Sequence, residues 1–216
     1  MTAMVVLDAQ LPLDEQVTID SADIDVLKNT RSRLWVGASL SRQELLRLAL
    51  MASENRAAAA LGRAYPGGID AFVAAMNSKA QQLGMRHSRF VDATGLNSAN
   101  VSTARELASM VEAAHQYDII REFSTTASHA VDVSNQGHSL RFINSNNLVR
   151  AGTWNIGVSK TGFLNEAGRC LVMQAMILGK PVIIVLLDSV GKKTRIGDAN
   201  RIRKWMETNL ARKHLG

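Results

Sequence analysis

A single cysteine in 216 residues excludes an intrachain disulfide. That residue, Cys170, lies in an apolar stretch (168–178), where a buried structural thiol is expected rather than a nucleophile. No apolar run approaches the roughly 18 residues of a membrane span, so no transmembrane segment is expected; the longest run, 181–187, has the length of a strand. The five histidines are His87, His115, His129, His138 and His214. They show neither HxxxH nor HExxH spacing and no accompanying carboxylate cluster, which argues against a metal site. Aromatic residues make up only 5% of the chain, so small aliphatic side chains carry its 46% hydrophobic content. The first nine residues, MTAMVVLDA, lack the basic start of a signal peptide. They read as the middle of an amphipathic helix entered without a cap. The net charge of +6 is spread along the chain. Its densest stretch, 192–213, is interrupted by Asp198 and Glu207, which fits a solvated basic face and no nucleic-acid partner.

The pattern changes character near the middle. Ser41 and Glu44 form a capping box before Leu45, Leu46, Leu48 and Ala49 at helical spacing. A break at Ser53-Glu54-Asn55 precedes an alanine-rich helix ending near Arg63. After the turn 65–68, Phe72, Val73, Met76, Ala80 and Leu83 mark one helix face, closed by Gly84. Thr103 and Glu106 form a second capping box before Leu107, Met110, Val111 and Ala114. From about residue 127, short β-type runs follow at 130–133, 139–143, 154–159, 170–178 and 182–187, the last two joined by a tight turn at 179–181. Asp198 caps a final helix with Ile202, Trp205, Met206 and Leu210 on one face. The expectation is one α+β domain over 1–216, helical at about 41–125 and built on an antiparallel sheet at about 127–216.

Three short motifs carry possible chemistry. Ser53-Glu54-Asn55 sits at a helix junction, where it also reads as a cap with an Asx-type turn. Lys160-Thr161-Gly162 ends the run 154–159. There a lysine offers a fixed cation, a threonine a hydroxyl, and a glycine room for a peptide to lie against the strand; a solvated strand end is the plainer reading. Ser189-Val190-Gly191-Lys192 is the one Ser-x-x-Lys in the chain. On a helix that spacing puts serine and lysine on one face, where a neutral lysine can take the serine proton. Gly191 and the preceding strand predict a turn instead, so this pair is expected to be inert.

Ser-x-x-Lys, Ser-x-Asn and Lys-Thr-Gly, in that order, are the signature of penicillin-recognising serine enzymes. The second and third stand here in order, about a hundred residues apart. The segments SENRAAAALGRAYPGG (53–68), FVDATGLNSANVSTARELA (90–108), SKTGFLNEAGRCLVM (159–173) and PVIIVLLDSVGKKTRIGDANRIRKW (181–205) resemble the low-molecular-mass penicillin-binding proteins. Within that family they look most like the endopeptidase branch of the serine D-alanyl-D-alanine carboxypeptidases and endopeptidases. The resemblance implies a β-lactamase/transpeptidase-like fold and a periplasmic hydrolase. That hydrolase would cut peptidoglycan stem peptides through an acyl-enzyme and need no cofactor. It implies that Ser53 passes protons, that Asn55 holds the substrate backbone and that Lys160 steers the substrate and tunes the relay. Thr161 and Gly162 would form the strand edge, and the Phe163 N–H would donate to the oxyanion. In the family the Ser-x-x-Lys box stands directly before a segment resembling Met1-Thr2-Ala3-Met4. The expectation is therefore a chain that starts after its nucleophile, lacks the upstream strands of the sheet, and reacts covalently with β-lactams only if the box is present. The alternative is a remnant that binds peptidoglycan without cutting it.

Overall fold

The computed structural model describes residues 1–133 and 139–213, with side chains as far as Asn209. His138 and His214 therefore lie outside the described residues. Helices fill the first half. α1 (Thr2–Asp8) begins without a side-chain cap, and Ala3, Met4, Val5 and Val6 are all buried. Four consecutive buried positions mean that protein surrounds this helix on every side. The short strands β1 (Gln16–Thr18) and β2 (Ser39–Ser41) pair antiparallel. α2 (Arg42–Met51) starts at Ser41, whose hydroxyl accepts from the Glu44 N–H at 3.1 Å. The reciprocal half of the expected box is absent, because the Glu44 carboxylate turns outward to His129 at 2.8 Å. α3 (Asn55–Arg63) and α4 (Gly68–Gln82) follow. A Cβ at Gly62 would stand 2.8 Å from Ala93 Cβ, so only glycine permits that close approach. α5 (Ala104–Ala114) starts at Thr103, which accepts from the Glu106 N–H at 3.2 Å; the Glu106 carboxylate again goes elsewhere, to the His87 N–H and the Ser88 hydroxyl. α6 (Asp118–Thr125) has no capping side chain, which is why its start leaves no mark in the sequence.

Strands dominate the rest. β3 (Ser128–Asp132) and β4 (Ser139–Ile143) pair antiparallel, and the short helix α7 (Asn147–Ala151) follows. β5 (Asn155–Leu164), β6 (Gly168–Ile177) and β7 (Lys180–Ser189) form an antiparallel sheet in the order β5-β6-β7, and α8 (Thr194–Lys213) ends the chain. Alternation along β6 splits the sheet between two cores. Leu171, Met173 and Ala175 join Leu148, Ile184 and Ala199 on the α8 side, while Val172 faces the large core of the helical half with Val158 and Ile183. Phe72, Phe123 and Phe142 anchor that larger core. Full burial is worth about 1.5–3 kcal/mol for each such side chain.

The α+β reading holds, and several local expectations need correction. β5 runs to Leu164, so Lys160-Thr161-Gly162 lies inside the strand, because pairing with β6 continues to the turn at 165–167. The tight turn between β6 and β7 is Leu178-Gly179, both at positive φ, and Pro181 already pairs with Met176; β7 is an edge strand, where proline is tolerated. α8 starts at Thr194, four residues before Asp198. Its packing face is Ile196, Ala199 and Ile202, whereas Trp205 is 67% exposed. The side chain of Leu210 lies outside the described residues. Cys170 is half-buried rather than buried, with its thiol donating to the Ala167 carbonyl at 3.3 Å.

Candidate active site

The joint between α2 and α3 is irregular. Ser53 has φ 55°, a left-handed conformation that costs a non-glycine residue about 1–2 kcal/mol. Its neighbours hold it there. The Glu54 N–H donates to the Leu48 carbonyl at 3.2 Å, and the Ser145 N–H donates to the Met51 carbonyl at 2.7 Å. The joint presents Ser53 Oγ to Lys160 Nζ, which donates to it from β5, and to Ser145 Oγ at 3.2 Å. Lys160 Nζ also donates to the Thr161 carbonyl at 2.9 Å, and Thr161 Oγ1 donates to Ser145 Oγ at 2.7 Å. Ser53, Ser145, Thr161 and Lys160 thus form one hydrogen-bonded polar cluster.

Buried amides lock that cluster to the fold. Asn144 Nδ2 donates to the Ser124 carbonyl at 2.9 Å and the Thr126 carbonyl at 2.8 Å, tying the 144–146 loop to α6. Asn146 Nδ2 donates to Ser159 Oγ at 2.8 Å, tying the same loop to β5. Asn55 Nδ2 donates to Thr30 Oγ1 at 3.1 Å, and that hydroxyl donates to Asp25 Oδ2 at 2.7 Å. A long surface loop therefore orients the Asn55 amide.

Burial of the Lys160 ammonium, and then the charge of Arg195, pull its pKa down from 10.5 to about 8. Among the described residues no carboxylate pairs with it. Near neutral pH such a lysine is a cation that gives up its proton readily, which suits both anion binding and proton relay. Arg195 is fixed by donating to the Gly162 carbonyl at 2.9 Å and the Cys170 carbonyl at 3.1 Å. Further along β5, Gly162 is exposed, and a Cβ there would meet only Cys170 Cβ at an ordinary 3.7 Å. The fold itself does not demand glycine at that place. Phe163 is 52% exposed, with the Arg169 guanidinium 4.2 Å over its ring. β5 is an edge of its sheet, so its outward backbone groups are open to an added extended strand.

Ser53, Asn55 and Lys160 line one cavity of about 260 Å³, with Met1 on its wall and apolar side chains such as Leu50 and Val111 around it. The structure thus brings together three residues spread over 107 positions. Thr161 joins their polar cluster, and Gly162 and Phe163 continue the strand toward solvent. Ser189 is buried at the end of β7 and Lys192 is exposed in the turn after it, so that pair does not share a helix face. Sequence reasoning missed Ser145, Thr30 and Arg195. The Asn-Ser-Asn triplet 144–146 was the available signal for the first. Arg195 was masked by the basic run beginning at Lys192.

The family described as D-alanyl-D-alanine carboxypeptidase matches residues 1–191. The chain is 50% identical over 208 residues to the D-alanyl-D-alanine endopeptidase of Escherichia coli (strain K12), covering 96% of this chain and 67% of that protein. The D-alanyl-D-alanine endopeptidase of Pseudomonas aeruginosa is also 50% identical over 208 residues, with 96% and 67% covered. Among solved structures, the Streptomyces K15 DD-transpeptidase superposes with a TM-score of 0.86 at 32% identity, covering 94% of this chain and 83% of that one.

Proposed function

Because the chain belongs to the D-alanyl-D-alanine carboxypeptidase family of serine hydrolases, we propose that its cleft binds peptidoglycan stem peptides ending in D-Ala-D-Ala and serves their cleavage by acyl transfer in the periplasm. The observation that carries this reading is the direct hydrogen bond between Lys160 and Ser53, made across the cleft with Asn55 on the same wall. In it the peptide lies antiparallel along β5 beside Gly162. Asn55, whose Oδ1 makes no hydrogen bond among the described residues, accepts from the peptide backbone. Lys160 attracts the terminal carboxylate, and Ser53 passes a proton between Lys160 and the departing amine. The Phe163 N–H donates to the oxyanion of the tetrahedral intermediate. In the acylation step a serine oxygen bonds to the penultimate D-Ala carbonyl, the peptide C–N bond breaks and the terminal D-Ala amine leaves with the relayed proton. Water then attacks the ester, frees the serine and leaves a carboxylate.

Titrating residues 1–216 with an N-acylated D-Ala-D-Ala peptide and its L-Ala-L-Ala twin tests the binding half. The D-peptide is expected to shift the amide signals of Ser53, Lys160 and Phe163; equal binding of both twins would sink the reading. Covalent chemistry is tested with a fluorescent penicillin. The one Ser-x-x-Lys of the sequence is split between a strand end and a turn, so no labelled band is expected from this chain. A band that vanishes in Ser53→Ala would make Ser53 the nucleophile, and one that vanishes in Ser189→Ala would make the Ser189–Lys192 pair real.

A further inference from the structure

A second cavity, of about 490 Å³, adjoins the first at Glu54. Arg31, Arg33 and Arg150 stand on its walls together with Asn144 and Ser145, and Glu54 lines both cavities. Ser145 is the same hydroxyl that hydrogen-bonds Ser53 and Thr161, so the two spaces share a polar boundary. Three guanidinium groups share one concave surface with a single carboxylate, that of Glu54. Arg33 is held by donating to the Arg141 carbonyl at 2.7 Å and by stacking 3.8 Å over Phe142. Arg150 is held by the Asn144 carbonyl and the Asn147 side chain. Each of these two has further N–H donors that make no hydrogen bond among the described residues. Arg31 is exposed and makes no hydrogen bond or ion pair among the described residues.

We propose that this second cavity is an anion subsite of the cleft, taking a carboxylate carried by an internal residue of the bound peptide. The inference rests on the peptide-binding reading above and adds to it a requirement for substrate charge. Guanidinium forks match a carboxylate in two-point geometry. The volume suits a side chain and its head group. Glu54 is the group that opposes an anion. Its Oε1 is buried without a hydrogen-bond partner among the described residues, and burial raises its pKa above the usual carboxylate value. Lys160 and Arg195 lie across the polar boundary and serve the peptide's other end, so the subsite is separable from them by substitution.

The test uses residues 1–216 and two synthetic peptides. Both end in D-Ala-D-Ala; one carries free side-chain carboxylates on the two preceding residues and the other carries them amidated. Calorimetry in low salt is expected to give about tenfold tighter binding of the free-acid peptide, the scale of one charged hydrogen-bonded pair. Arg31→Gln is expected to remove most of that difference while leaving the amidated peptide's affinity unchanged, and Arg86→Gln, outside both cavities, to leave both affinities unchanged. Raising the salt should shrink the difference if Arg31 acts by charge. Equal affinities for the two peptides overturn the subsite and leave the D-Ala-D-Ala cleft standing. A preference that survives Arg31→Gln and Arg33→Gln together also overturns it. Binding of neither peptide overturns the peptide reading and the subsite with it.

Discussion

The two walls of the cleft are held in position by different means. On the helical side, Ser53 occupies a left-handed joint between α2 and α3, and the Asn55 amide leans on Thr30, 25 residues earlier. On the strand side, Lys160, Thr161, Gly162 and Phe163 occupy consecutive places in a regular antiparallel ladder, opposite Val172, Leu171, Cys170 and Arg169. The ladder sets direction and spacing by itself, since alternate residues must face opposite sides. The joint sets nothing by itself and takes its shape from bonds to the 144–146 loop and to the end of α2. The precision of the strand wall is therefore built into secondary structure, and that of the helical wall into tertiary bonds. Damage to tertiary packing should loosen Ser53 and Asn55 before it moves Lys160.

The largest expected effect lies on the strand wall. Lys160→Met should weaken binding of a D-Ala-D-Ala peptide about ten- to a hundredfold, the worth of a charged hydrogen bond of about 1.5–3 kcal/mol, as read by calorimetry. The same variant should not unfold more easily at pH 7, because it removes a desolvated cation that has no carboxylate partner among the described residues. Its pH dependence sharpens the point. With a folded pKa of about 8 against 10.5, the unfolded chain binds the extra proton between those values. The lysine's cost to stability is thus present in full below about pH 8 and fades as pH rises toward 10.5. Denaturant melts of Lys160→Met and wild type should converge over that window. A gap that widens instead would contradict the lowered pKa. Peptide affinity should also fall above about pH 8, as the ammonium is lost.

On the helical wall the expected effect is smaller and of opposite character. Ser53→Gly should be more stable than Ser53→Ala by about 1 kcal/mol, since glycine accepts the left-handed backbone without strain, whereas both should lose the contact with Lys160. Equal stabilities would mean that the joint relaxes freely. The smallest effect on stability belongs to Gly162→Ala, expected to leave the melting temperature unchanged because the added methyl meets only Cys170 Cβ at 3.7 Å. It should nonetheless weaken peptide binding, because the methyl stands where the docked chain would lie. Unchanged binding would remove Gly162 from the peptide's path.

The motifs that named the candidate residues were legible because each is a local spacing, and so were most helices and strands. Ser41 and Thr103 mark their helix starts because a hydroxyl before a helix satisfies a free N–H wherever the rest of the chain lies. The capping boxes were half right for the same reason. The hydroxyl bond is local, while the glutamates were free to find partners elsewhere in the fold, and did. Trp205 misled because a helical period shows that a face exists without showing where the neighbouring sheet ends; Ile196 and Ala199 took the packing positions instead. Ser145 was marked only by its Asn-Ser-Asn setting and Arg195 was hidden in a basic run, since a serine or arginine gains its meaning from what the fold places beside it.

The sequence by itself determined most of the helices and strands, the α+β class, the family and the identity of Ser53, Asn55 and Lys160 as candidates. Periodicity, caps and short motifs are properties of neighbours along the chain. Only the tertiary structure decided that Lys160 reaches Ser53, that Ser145 joins them and that three arginines face one cavity. The lowered pKa of Lys160 belongs there as well. Proton affinity depends on what excludes water from the ammonium and on which charges stand near it, and here both come from residues far away in the chain, brought close only when α2, the 144–146 loop, β5 and α8 pack together.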